Sequence, residues 1–404
     1  CCTLAENCAA DYNIALGYYA GKYMSSGDGN NIFIGRETGC SGCTSAYNIF
    51  LGFYSGRCLG NDADKNIGLG YCAFRCSNSG CYNVAFGPHA LGSAVICGND
   101  NNVIGRCAGY CLTSGEYNTL IGQSSGKNLT TGDSNVIIGR CNATGGTLTG
   151  DENVVIGALA AQPLSSGCQN VIIGQSAGRC LTTGKRNILL GAGAGYSLGG
   201  DFTGCHNIFL GEYTGMMAAV TGTCNIGIGK CVFQNLASGS ENVALGIRVM
   251  GDTSSCGCKN VILGSCAGNR LQLGYGNVFI GAESNFMSAG EGTVTGARNV
   301  AIGFGASITD KTASNQLAIG VGVTNWIRGD SNFDIYDKDG NKLSGGGGGS
   351  GDKFNTGITS SVQATIFGYE TDVLTLASDS TKRYTIESIS VGNVTAGVGS
   401  TVNV

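Results

Sequence analysis

A repeat of 17 or 18 residues runs through most of this chain and constrains its fold more than any other feature. Each copy reads Gly-x-x-Asn-(Ile/Val)-x-(Ile/Leu)-Gly-x-x-(Ala/Ser)-Gly, with single longer steps of 20 and 22 residues between anchors. Such a period predicts a repeat architecture rather than the two or three globular domains that 404 residues would suggest. The anchors are Asn13, Asn31, Asn48, Asn66, Asn83, Asn101, Asn118, Asn135, Asn153, Asn170, Asn187, Asn207, Asn225, Asn242, Asn260, Asn277, Asn299 and, as the eighteenth, Gln316.

Each copy holds one short apolar segment between glycines, such as Val171-Ile172-Ile173. Short runs rich in β-branched residues predict strands. A helix in so short a unit would contain several interior glycines, each costing about 1 kcal/mol. We therefore expect an all-β fold, a β-solenoid of about 18 coils over residues 13–322. Equivalent parallel strands of successive coils would stack about 4.8 Å apart.

The anchor asparagines and the glycines four residues after them are predicted to be structural residues. Stacked asparagine side chains can hydrogen-bond along the solenoid axis as a ladder. A glycine at one position of every copy indicates a corner where the backbone needs a positive φ or a very close approach. The predicted ladder and corner residues include Asn13, Asn31, Asn48, Asn118, Asn135, Asn153, Asn170, Asn187, Gly122, Gly139, Gly157, Gly174 and Gly191.

The predicted strand is apolar on both faces. The residue after the anchor is aliphatic in 16 of 18 copies, Asn102 and Thr119 being the exceptions, and the residue three after it is apolar in all 18. The residue between them, which points to the opposite face, is never polar. A lone solenoid would expose one face to water and alternate apolar with polar residues. We infer that one face fills the coil and the other packs on another chain, as a parallel homotrimer. The alternative is a thick single-chain solenoid whose own loops cover the second face.

The repeats resemble those of phage tail fibres, particularly of large aquatic phages, and are distantly similar to the heads of trimeric autotransporter adhesins. The segments Asn315-Gln-Leu-Ala-Ile-Gly320 and Trp326-Ile-Arg-Gly-Asp-Ser331 resemble the exit motif that closes such arrays. The resemblance covers about residues 10–340. It implies a trimeric fibre on the virion surface that carries or supports host attachment. Its partners would be copies of itself, other virion or fibre proteins, and a host-surface receptor such as a glycan. A bacterial surface adhesin is the alternative, and the dense cysteines depart from the usual fibre pattern.

Other segments flank the repeat array. The sequence predicts a lead-in or partial coil at 1–12, a capping hairpin at 323–343, a Gly/Ser segment at 344–351 and a small β module at 352–404. Asp339-Gly340 is a turn signal in the hairpin. The Gly/Ser segment has the composition of a flexible linker, and a glycine-rich structural segment or an engineered joint are the alternatives. Because the chain begins at Cys1 and ends within an apparent strand, we expect a processed or partial protein.

The 21 cysteines fall into columns of the repeat. Cys58 and Cys76 occupy one column in adjacent coils, within the Cα separation that a disulfide requires, and are the predicted pair. Cys72 with Cys76, or Cys107 with Cys111, could instead bridge a corner. Most other cysteines of one column lie two or more coils apart. For these, we favour buried free thiols acting as small apolar residues.

Composition argues against metal, nucleic-acid and membrane functions. Charged residues make up 12%, the net charge is −4, and His89 and His206 are the two histidines. An acidic chain offers nucleic acid no basic surface, and no apolar run approaches the roughly 18 residues that span a bilayer. Cys40 and Cys43 form the single Cys-x-x-Cys, without a second pair or a nearby histidine. We therefore expect no metal site and no cofactor.

A polysaccharide-cleaving tailspike is the enzymatic alternative to a structural fibre. Such enzymes use two carboxylates about 5–10 Å apart. The acidic candidates are Asp330, Asp334, Asp337 and Asp339, near the end of the array. Acids concentrated in a polar hairpin are typical of a solvated turn, and the Arg328-Gly-Asp triplet matches an integrin motif by its letters alone. We predict a non-enzymatic fibre.

Overall fold

The computed structural model describes residues 12–24, 29–40, 44–92, 95–197, 200–216, 220–251, 256–285, 293–322 and 324–343. Every regular element within these residues is a β-strand. The strands are β1 (Ile14–Leu16), β2 (Ile32–Ile34), β3 (Ile49–Leu51), β4 (Cys58–Leu59), β5 (Ile67–Leu69), β6 (Cys76–Ser77), β7 (Val84–Phe86), β8 (Asn102–Ile104), β9 (Thr119–Ile121), β10 (Val136–Ile138), β11 (Val154–Ile156), β12 (Val171–Ile173), β13 (Ile188–Leu190), β14 (Ile208–Leu210), β15 (Ile226–Ile228), β16 (Val243–Leu245), β17 (Val261–Leu263), β18 (Val278–Ile280), β19 (Val300–Ile302), β20 (Leu317–Val321), β21 (Thr324–Gly329) and β22 (Ile335–Asp337).

The strand that follows each anchor stacks in parallel on the equivalent strand of the next coil. Val154 of β11, for example, aligns with Val136 of β10 on one side and Val171 of β12 on the other. With β21 and β22, these repeat strands form one 20-stranded sheet. The predicted all-β solenoid is therefore confirmed, with about 17 turns.

The repeat strands β1 to β3, β5 and β7 to β19 are only three residues long because the chain turns at the glycine that follows each of them. The turn before the strand also uses a left-handed residue, such as Glu152 with φ 57° before Asn153. Main-chain hydrogen bonds still connect the coils at these corners. The Val154 N–H donates to the Asn170 carbonyl at 2.8 Å, and the Gly157 N–H donates to the Ile138 carbonyl at 2.9 Å. The backbone groups at the strand ends are thereby satisfied between coils.

The middle residue of each strand points into the coil. In the coil that begins at Asn170, the interior is filled by Ile172, Ala177 and Leu181, all fully buried. These positions, two, seven and eleven residues after the anchor, recur along one hydrophobic cluster from Ala20 to Ala318. Because the predicted strand is apolar on both faces, the sequence alone did not show which face fills the coil.

In several coils, side-chain volume is balanced between the middle strand residue and the residue eight after the anchor. Phe209 has Gly215 as its counterpart, and a Cβ on Gly215 would overlap the Phe209 ring. Two coils invert this arrangement, with glycine in the strand and phenylalanine at the corner. The inverted pairs are Gly68 with Phe74 and Gly227 with Phe233.

An antiparallel hairpin covers the last strand of the solenoid. Strand β21 pairs with β20, and β22 pairs with β21. At the predicted Asp339-Gly340 turn, the Asp337 carboxylate accepts the N–H groups of Asp339 and Asn341 at 2.9 and 2.8 Å. The lead-in segment up to residue 11, the Gly/Ser segment at 344–351 and the β module at 352–404 lie outside the described residues.

Candidate functional site

The anchor asparagines are buried and hydrogen-bonded to one another along the axis. The Asn135 Oδ1 accepts the Asn153 backbone N–H at 2.9 Å and the Asn153 Nδ2 at 3.0 Å. The second Nδ2 hydrogen of Asn153 goes to the Gly167 carbonyl at 2.9 Å. Its own Oδ1 accepts twice from Asn170. Both donors and both acceptor sites of the Asn153 amide are therefore used inside the fold, and its side chain offers nothing to a ligand.

The ladder extends through the predicted asparagines and ends at Gln316. A backbone N–H donates to the Oδ1 of the preceding anchor at Asn31, Asn48, Asn118, Asn135, Asn153, Asn170 and Asn187, and Asn13 is the first acceptor. The Gln316 N–H still bonds the Asn299 Oδ1 at 2.8 Å. Its longer side chain instead bonds Thr309, Asp310 and Ala313 of the preceding loop. The change from asparagine to glutamine thus coincides with the end of the ladder.

The corner glycines combine a left-handed backbone with a close approach to the next coil. Gly122, Gly139, Gly157, Gly174 and Gly191 have φ values of 125°, 135°, 139°, 139° and 133°. A Cβ on Gly191 would lie 2.5 Å from the Gly211 carbonyl oxygen. No other residue type fits such a position without moving a coil.

The residues one and three after each anchor form what we call the outer stripe. They point away from the coil interior, and every one of them in β1 to β3, β5 and β7 to β20 is partly or largely exposed. Phe86 is 52% exposed and Ile104 is 42% exposed. Among the described residues, the chain's own loops leave this face partly exposed.

Polar side chains border the outer stripe at the position immediately before most anchors, with Cys224 and Gly276 as the exceptions. Here Lys65 Nζ donates to Tyr82 Oη at 2.6 Å. Further along, Arg186 and Glu152 both bond the side-chain amide of Gln169 at 2.8 Å. An apolar surface with a polar border is typical of a protein–protein interface.

The predicted disulfide partners lie side by side. Cys58 of β4 aligns directly with Cys76 of β6 in a separate two-stranded parallel sheet. Both thiols are free, Cys58 exposed and Cys76 half-buried. Burial, and next the neighbouring Cys58, raise the pKa of Cys76 to about 11. Within the described residues, the two cysteines are neighbours in register and both thiols are free, so the predicted disulfide remains a prediction.

The expectation of buried thiols elsewhere is wrong for most cysteines. Among those in the described ranges, Cys40 and Cys72 are buried and the others are partly or fully exposed. At the corner six residues after the anchor, Cys107 and Cys141 adopt left-handed φ values of 57° and 54° and lie partly exposed, whereas Cys72 at the same corner is buried.

The hairpin acids act as acceptors for their own turns. Desolvation opposes ionisation of Asp330, but the N–H groups of Asp334 and Asn332 outweigh it and lower the pKa. The side-chain and backbone N–H groups of Asn341 are the main causes that lower the pKa of Asp337. Asp334 pairs with the Lys342 Nζ at 2.8 Å. A lowered pKa suits a turn acceptor better than a general acid, which must be protonated near neutral pH.

Two shallow depressions lie at the corner six to ten residues after the anchors. The first, about 210 Å³, is lined by Tyr19, Lys22, Tyr23, Glu37, Cys40 and Arg57. The second, about 280 Å³, is lined by Gln175, Ser176, Arg179, Ala192, Gly193, Tyr196 and Tyr213. Glu37 is the one carboxylate among these residues, and it pairs with Arg57 at 3.3 Å. Neither depression therefore holds two carboxylates. In the sequence, the spacing of a tyrosine and a basic residue three positions later, as in Tyr19 and Lys22 or Tyr54 and Arg57, marks this corner.

Metal and membrane sites are not seen in the described part of the chain. No three His, Cys, Asp or Glu side chains converge there to hold a metal ion, and no helix there is long and apolar enough to cross a membrane. The Cys40 thiol donates to the Arg57 carbonyl at 3.6 Å, while Cys43, the other cysteine of the Cys-x-x-Cys, lies outside the described residues. No protein-family model matches the chain, and no curated protein shows significant similarity to it.

Proposed function

We propose that this protein forms the shaft of a homotrimeric virion fibre, a phage tail fibre whose shaft supports or performs attachment to a host surface. The observation that carries the proposal is the outer stripe, which is apolar except at Asn102 and Thr119 and stays partly or largely exposed along the solenoid. The interior offers no comparable site, because the asparagine amides are fully bonded within the chain.

A partner for the outer stripe must have the same axial period. Layers of apolar side chains recur about every 4.8 Å along a parallel stack of strands. A second solenoid of the same kind, aligned in parallel, presents its own layers at this spacing. The threefold arrangement comes from the resemblance to trimeric fibres, and it would bring one stripe from each chain to a closed central contact.

The energetics favour association. Completing the burial of a partly exposed aliphatic side chain contributes up to about 1 kcal/mol. Summed over the two columns of the stripe, this exceeds the roughly 4–15 kcal/mol that association costs in lost freedom. Eighteen coils at about 4.8 Å give a shaft on the order of 85 Å, a length suited to a spacer between a virion and a receptor.

The proposal places the protein on the extracellular surface of the virion. Its partners would be further copies of itself, other virion or fibre proteins at the shaft ends, and a host receptor such as a glycan. We propose no catalytic role, because the hairpin carboxylates are engaged in turns or in an ion pair. A bacterial surface adhesin would use the same trimeric shaft, with the cell surface in place of the virion.

Native mass measurement of the purified chain tests the assembly. We expect three copies of the 41.0 kDa chain. Ile138→Glu, in the outer stripe, should give a monomer because it places a carboxylate in the contact. Thr183→Glu, at an exposed turn position, is the matched control and should stay trimeric. A monomeric wild-type chain would overturn the trimer, and release of sugar from a bacterial capsule by the trimer would overturn the absence of catalysis.

A further inference from the structure

The outer stripe is interrupted at one level. Asn102 begins β8 and Thr119 begins β9, and the two residues align directly in adjacent coils. The aligned residues on either side are Val84 and Val136. All other residues of the stripe are apolar.

The backbone gives no reason for the polar residues at this level. The Asn102 N–H donates to the Asn118 carbonyl and the Thr119 N–H to the Asn135 carbonyl, both at 2.8 Å, as in the neighbouring coils. Asn102 is exposed and Thr119 is partly exposed. Within the described ranges, neither side chain has a hydrogen-bonding partner. Their polarity therefore contributes nothing to the fold of a single chain that valine would not supply.

The rest of the stripe discriminates poorly between axial registers. Apart from Phe86, a chain that slips by one coil still places Ile, Val or Leu against Ile, Val or Leu. The layer of Asn102 and Thr119 is the one polar level of the stripe in the described strands. In a parallel trimer in register, three Asn102 amides meet at one level and can donate to and accept from one another, and three Thr119 hydroxyls meet at the next.

A slip of one coil breaks this match. Asn102 of one chain would then face Thr119 of its neighbour, while the remaining Thr119 would face Val136 and the remaining Asn102 would face Val84. Polar groups buried without partners are costly. An antiparallel pair is penalised too, because full overlap would place Asn102, in the sixth coil, against Ile226 in the thirteenth.

We infer that Asn102 and Thr119 form a polar layer that sets the axial register and the parallel orientation of the homotrimer. The partner at this surface is two further copies of the chain. A buried asparagine fixes register in coiled coils by the same physical effect, at a cost in stability. This inference rests on the trimer proposed above.

Photo-cross-linking in the assembled protein tests the register. The residue p-benzoylphenylalanine replaces Ile156, two coils beyond Thr119, and the partner residues are identified by mass spectrometry. In the otherwise unchanged chain we expect cross-links between chains confined to the coil of Ile156. With Asn102→Val and Thr119→Val, we expect a trimer whose cross-links spread to the coils of Ile138 and Ile173.

The matched control is Val84→Ile with Val136→Ile, which changes the flanking layers without altering polarity and should keep a single register. Single-register cross-links in the Asn102→Val/Thr119→Val chain would overturn the polar layer while leaving the trimer intact. A trimer that forms no cross-links from Ile156 would overturn the stripe as its interface. A monomeric wild-type chain would overturn the proposed trimer, and the register inference with it.

Discussion

The inner and outer sides of the same three-residue strand are both apolar, yet their side chains vary in different ways. Inside, the middle residue ranges from Gly227 to Phe209, and a corner residue of the same coil compensates for its size. Outside, nearly every residue is Ile, Val or Leu and nothing in the coil adjusts to it. The inside is fitted coil by coil to its own chain. The uniform outside suits a partner with the same period.

Substitution at a corner glycine should have the largest effect on the fold. Gly157→Val would place a side chain against the Gly174 carbonyl at a left-handed φ of 139°. We expect a loss on the order of 4 kcal/mol in the free energy of unfolding, measured by denaturant titration. Gly146→Val is the control, because a Cβ there meets nothing within 4 Å. Equal losses in the two variants would contradict this account of the corner.

The inner packing can be tested by exchanging volumes within one coil. Phe233→Ala should cost about 3–5 kcal/mol, because it empties space that its ring fills beside Gly227. The double variant Gly227→Phe with Phe233→Gly adopts the arrangement of Phe209 and Gly215 and should recover more than half of that loss. Successive inward phenylalanines are tolerated, since Phe33 and Phe50 stack with centroids 6.1 Å apart. Losses that simply add would show that the two positions are independent.

Interrupting the asparagine ladder should have a smaller effect. Asn153→Ala removes the side-chain donor to the Asn135 Oδ1 and to the Gly167 carbonyl, and it removes the Oδ1 that accepts from the backbone N–H and Nδ2 of Asn170. We expect a loss of about 1–3 kcal/mol, measured by thermal unfolding in parallel with Asn78→Ala. Asn78 is exposed, and its substitution should stay within about 0.5 kcal/mol. A ladder variant as stable as the Asn78 variant would show that the buried amides contribute nothing net.

Much of the fold could be predicted because a few positions of the repeat accept only one residue type. A glycine at φ 139° against the next coil, as at Gly157, and an asparagine whose amide is fully used, as at Asn153, must recur in every coil. The assignment of inner and outer faces could not be predicted, since both are apolar. The inverted pair Gly227 and Phe233 was visible in the sequence as a correlated change. The structure shows that the Phe233 ring occupies the space that a side chain at Gly227 would fill.

The cysteines show where residue-type tendencies fail. Free cysteine is among the most often buried residue types, which favoured thiols inside the coil. The position of each cysteine in the repeat, rather than its residue type, determines whether it is buried. Cys58 points outward and is exposed, whereas the next residue, Leu59, is 5% exposed and belongs to the core. Successive side chains thus point outward and inward even in the two-residue strands. Cys58 and Cys76 therefore lie accessible at the outer side of the coil.

This outer cysteine pair should cross-link with the least effect on the fold. Oxidised glutathione would first form a mixed disulfide at exposed Cys58, releasing one glutathione thiol. The Cys76 thiolate would then displace the second glutathione and close the Cys58–Cys76 disulfide. Because the pKa of Cys76 is raised to about 11, little thiolate exists at pH 7, and closure should accelerate steadily as the pH rises toward 10.

Peptide mapping after oxidation measures the outcome. We expect Cys58–Cys76 as the main linked pair, with a stabilisation below the roughly 3 kcal/mol that chain entropy gives a loop of about 15 residues, since the coil is already held by its neighbours. Cys111 and Cys180 share the same column but lie four coils apart, and they should remain unlinked. Preferential linkage of Cys72 to Cys76 would show that the corner, and not the register of β4 and β6, determines which thiols meet. If Cys72 is the partner of Cys76, the substitution Cys58→Ser should leave the Cys76 disulfide unchanged. If Cys58 is the partner, the same substitution should abolish that disulfide.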